Sequence, residues 1–70
     1  VPPEHRAAHL LDMARAYALT GDLKRAGRAL LDAERTAPGE VHDRPAVRDL
    51  VAMVARSPAA PGALARLAGC

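Results

Sequence analysis

The sequence predicts an all-α fold, on three observations. Apolar residues recur at three- and four-residue spacing in two long stretches, Ala7 to Ala18 and Leu23 to Ala33. No stretch alternates apolar and polar residues as a half-buried strand would. Residues that stop or restart helices fall between the periodic segments: Gly21-Asp22, Pro38-Gly39, Pro45 and Ser57-Pro58.

The first helix opens at Pro2-Pro3, since proline is tolerated in a first turn whose N–H groups have no intrahelical partner. It runs from Glu4 to Leu19, with Ala7, Leu10, Ala14, Tyr17 and Ala18 as its apolar stripe. Thr20-Gly21-Asp22 breaks the pattern. Gly21 suits the left-handed position after a helix end, and Asp22 can accept a backbone N–H as the cap of the next helix. That second helix extends to about Thr36 with Leu23, Ala26, Leu30 and Ala33 on one face. Two amphipathic helices joined this closely form an antiparallel hairpin.

Pro38-Gly39 is read as the end of the hairpin, followed by a polar stretch through Arg44. Pro45 restarts a helix carrying Val47, Leu50, Val51 and Val54, and Ser57-Pro58 stops it, because the residue before proline avoids helical geometry. A last short helix, about Pro61 to Ala68, carries Leu64 and Leu67. The expectation is therefore four helices, with all five glycines serving as scattered turn residues. The segments divide into a hairpin over 1–40 and capping helices over 41–70.

Composition narrows the function classes. The chain has 70 residues, half of them apolar, with no Phe, no Trp and a single Tyr. A chain this short buries only about 60% of the surface its unfolded form exposes, and alanine adds little area to a core. The isolated chain is accordingly expected to be partly unfolded or oligomeric at micromolar concentration. Net charge is +2, but residues 1–40 balance, and the excess lies in Arg44, Arg48, Arg56 and Arg66 against Asp43 and Asp49. There is no basic stripe and no aromatic interleaving, so a phosphate-tracking nucleic-acid surface is not expected. No apolar run approaches the roughly 18 residues of a membrane span, and no secretion signal is visible. A single cysteine, Cys70, excludes an intramolecular disulfide, and the default location is cytoplasmic. Val1 in place of a methionine suggests a piece of a longer protein, a trimmed product or a non-standard start.

No set of residues assembles into catalytic chemistry. His5, His9 and Asp12 stand at i, i+4 and i+7, a ligand-like spacing, yet they point away from the apolar stripe and no general base lies between the histidines. His42-Asp43 is assigned to the polar loop. The nearest nucleophile, Ser57, precedes a helix-breaking proline, Cys70 has no activating cation, and no glycine-rich phosphate loop is present. The expectation is no enzyme activity, no metal and no cofactor.

The hairpin fits the 34-residue tetratricopeptide template, W-x2-L-G-x2-Y, then A-x3-F, then P. Leu10-x2-Met13-Ala14-x2-Tyr17 takes the first helix, Ala26-x3-Leu30 and Ala33 the second, and Pro38 closes it. Small residues at Ala14, Ala26 and Ala33 let helix backbones approach. A shift of 34 residues carries Met13 onto Val47, Tyr17 onto Val51, Ala26 onto Ala60, Leu30 onto Leu64 and Ala33 onto Leu67. The same shift places Arg44 and Arg48 where Leu10 and Ala14 stood. The second unit thus reads as a degenerate capping hairpin with a polar outer face.

The segments Arg15 to Asp22, Arg28 to Pro38 and Glu40 to Val51 resemble the C-terminal tetratricopeptide-like end of Cro/repressor-type helix-turn-helix transcriptional regulators of high-GC Gram-positive bacteria. The closing Leu64-Ala65-x-Leu67-Ala68 also fits. In that family an N-terminal domain binds DNA and the helical region senses or dimerises, and no such domain lies in this sequence. The resemblance implies a non-catalytic interaction module at the end of a larger regulator, with a protein or peptide, or a second copy, as partner. The alternative is a stand-alone adaptor for a peptide or partner helix. Carried over from tetratricopeptide grooves, the contact face would hold Ala8, Leu11, Asp12, Arg15 and Ala18 or Leu19, with Arg15 meeting a carboxylate. Leu11 stands where a carboxylate clamp would want a basic residue. Leu11 and Ala18 equally suit packing against a preceding helix.

Overall fold

A computed structural model describes residues 2–68. It is all-helical, with five helices among those residues: α1 (Pro3–Leu19), α2 (Leu23–Thr36), α3 (Pro38–His42), α4 (Pro45–Ala55) and α5 (Gly62–Ala68).

The turn between α1 and α2 follows from two residues. Gly21 takes φ +83°, a conformation that costs a residue with a Cβ roughly 1–2 kcal/mol. Around it the Asp22 N–H donates to the Tyr17 carbonyl at 2.9 Å and the Gly21 N–H to the Ala18 carbonyl at 3.2 Å. This pair of bonds is the Schellman pattern that satisfies the last carbonyls of α1. The Asp22 side chain then accepts from the Arg25 N–H at 3.3 Å, capping α2. With so short a link, helices of 17 and 14 residues can pack along their length only by running antiparallel. The two make the most extensive helix–helix contact in the fold.

Small residues set the close approach. Ala7, Ala14, Ala26 and Ala33 are all fully buried, and Leu30 fills the space beside them. Leu10, Tyr17, Ala18 and Leu23 are only half-buried at the margin of the core.

The stretch after Pro38, expected to be a polar loop, forms the single-turn helix α3. Proline suits N1 of a helix as readily as it ends one, and Pro38 occupies that position. The turn is held because it buries Val41, 2% exposed, while the Glu40 side chain pairs with Arg44 one turn on. The expected count of four helices is therefore corrected to five.

Pro45 opens α4, which buries Val47, Val51 and Val54 and leaves Leu50 half-buried. The Ser57-Pro58 turn that follows is braced by the Ser57 hydroxyl, which accepts from the Ala59 N–H at 3.2 Å. It returns the chain so that α5 packs on both α4 and α2. Leu64 is the fully buried anchor of α5.

Gly27 explains how α5 reaches α2. It is a buried mid-helix residue, and a Cβ built there would lie 2.5 Å from Cδ of Pro61 and 3.4 Å from Cδ2 of Leu64. The reading of every glycine as a turn residue is corrected here and at Gly39, which lies inside α3, and Gly62, which begins α5. Gly69 and Cys70 lie outside the described residues. One continuous core, Leu11 through Leu64, joins the segments 1–40 and 41–70, and among the described residues no polar or charged side chain is buried.

Candidate functional site

Two flanks of α1 reach the surface, and they differ in chemistry. The flank expected to form a groove presents Ala8, Asp12, Arg15 and Leu19, all exposed, with Leu19 83% exposed. Leu11, from the same set, is 7% exposed and belongs to the chain's own core together with Val47, Val51 and Val54. Ala18 is half-buried against that core. The four exposed members therefore stand on a helix surface whose apolar centre is already filled by the chain itself.

The opposite flank carries a shallow, open depression. Leu10, Met13 and Tyr17 of α1, spaced i, i+3 and i+7, form a half-buried apolar strip. Together with Ala29 of α2 they floor a depression of about 210 Å³, rimmed by Arg25, Arg28 and Asp32. The rim positions are spaced i, i+3 and i+7 along α2, so both walls follow helical register. Arg6, exposed and one turn before Leu10, extends the same face of α1.

Charge on this rim is partly compensated. Arg25 Nε lies 3.6 Å from Asp22 Oδ2, and Asp32 is ion-paired with Arg35. Both pairs are largely solvent-exposed and hold their side chains only loosely. Arg28 forms no ion pair among the described residues, and neither does Arg6.

Sequence reasoning named Leu10, Met13 and Tyr17 as packing residues and did not place them at an open surface. Their signal was the same three- and four-residue spacing that marks a core stripe. What separates the flanks is the packed core, which buries Leu11 and leaves Leu10, Met13 and Tyr17 half-buried.

The remaining candidates are dispersed. His5, His9 and Asp12 are all exposed on α1. Among the described residues no group of three or more His, Cys, Asp or Glu side chains could hold a metal ion. His42, assigned to a loop from the sequence, ends α3, and its Nε2 lies 3.4 Å from Glu34 Oε2 of α2. That pair ties α3 to the hairpin. A second cleft, about 360 Å³, runs between α4 and α5 and is lined by Arg48, Asp49, Val51 and Leu67. No helix among the described residues is long and apolar enough to cross a membrane. The chain matches no family model, no curated protein and no solved structure.

Proposed function

We propose that the chain is a non-catalytic protein-interaction module. In this reading α1 and α2 form a tetratricopeptide-like hairpin, and α4 and α5 form a degenerate capping hairpin. The module would supply the sensing or dimerisation end of a helix-turn-helix transcriptional regulator.

The observation that carries the reading is the Leu10–Met13–Tyr17 strip. The 34-residue shift takes Met13 onto Val47 and Tyr17 onto Val51. In α4 both of those are buried, at 4% and 2% exposure, and α4 packs on α1 and α2. The equivalent face of α1 remains open, apolar and in helical register. Stacked repeats bury a continuous core only when neighbours cover such faces.

One further correspondence supports the repeat: Leu30 and Leu64 exchange under the same shift, and both are fully buried. The correspondence ends at Arg44 and Arg48, which are exposed where Leu10 and the fully buried Ala14 stood, so the second unit is degenerate. The link to transcriptional regulators rests on the resemblance of the segments Arg15 to Asp22, Arg28 to Pro38 and Glu40 to Val51.

Joining a consensus 34-residue helical hairpin ahead of the chain, in repeat register, tests the packing. The melting midpoint for the residues of this chain should rise, and Met13→Asp should abolish the gain. An unchanged midpoint in the joined protein would contradict the reading.

A further inference from the structure

We draw no further inference here: the strongest candidate, the cleft of about 360 Å³ between α4 and α5 lined by His42, Arg48, Asp49, Val51 and Leu67, is open to solvent, sets the basic Arg48 beside the acidic Asp49, and carries nothing because no feature of the structure shows what fills it.

Discussion

Gly27 and Pro61 pack so closely that a methyl group on Gly27 would lie 2.5 Å from Cδ of the proline ring. The contact joins the middle of α2 to the residue just before α5. Gly27→Ala should therefore destabilise by about 1–3 kcal/mol through overpacking. At an open helical site the same change would stabilise by roughly 0.5–1 kcal/mol, so the sign alone decides. Combining it with Pro61→Ala, which removes the ring, should recover part of the loss in a denaturant double-mutant cycle.

Ala26 is fully buried where α2 packs into the core. Ala26→Leu should cost about 1–3 kcal/mol, whereas Ala16→Leu, at an exposed position of α1, should be within about 0.5 kcal/mol of neutral. Urea unfolding of the two variants makes the comparison. Equal or greater stability for Ala26→Leu would remove that residue from the helix–helix contact.

The α1–α2 turn separates backbone from side-chain effects. No atom lies within 4 Å of a Cβ built on Gly21, so Gly21→Ala should lose about 1–2 kcal/mol from φ alone. Gly21→Asn should lose less, because asparagine visits the left-handed region more readily. Asp22→Ala removes the cap on Arg25 N–H and should cost about 0.5–2 kcal/mol. Thermal melts of the three variants should rank accordingly.

The hairpin was legible because its punctuation is local. Gly21 and Asp22 carry out their roles within five residues of chain, and α2's buried face repeats its own spacing. What was not legible depends on distant residues. Pro38 can stop a helix or start one, and the choice turned on whether Val41 found a core to enter. Gly27 looks like a costly helix residue until Pro61, far along the chain, comes against it. Leu10 and Leu11 are adjacent leucines on α1, and only the assembled core decides that Leu11 is buried and Leu10 stays half-buried at its margin.

A fourth outcome follows from size and composition. The core contains no aromatic residue and is built from Ala, Val and Leu, so its burial energy is small for the entropy it must offset. The isolated chain should melt broadly and at low temperature by circular dichroism. A sharp, cooperative transition of a species shown to be monomeric by sedimentation would count against an incomplete repeat.

The central claim is that the Leu10–Met13–Tyr17 face is built to be covered by another helical unit. Tyr17 is the only aromatic residue of the chain, so its fluorescence reports on that face alone. The direct measurement is acrylamide quenching of Tyr17, first in the chain by itself, at a temperature where circular dichroism shows it helical and sedimentation shows it monomeric, and then with a preceding repeat hairpin, free of Tyr and Trp, joined in register. Tyr17 should be quenched readily in the first and protected in the second. Equal quenching in a joined protein that is fully folded would contradict the claim.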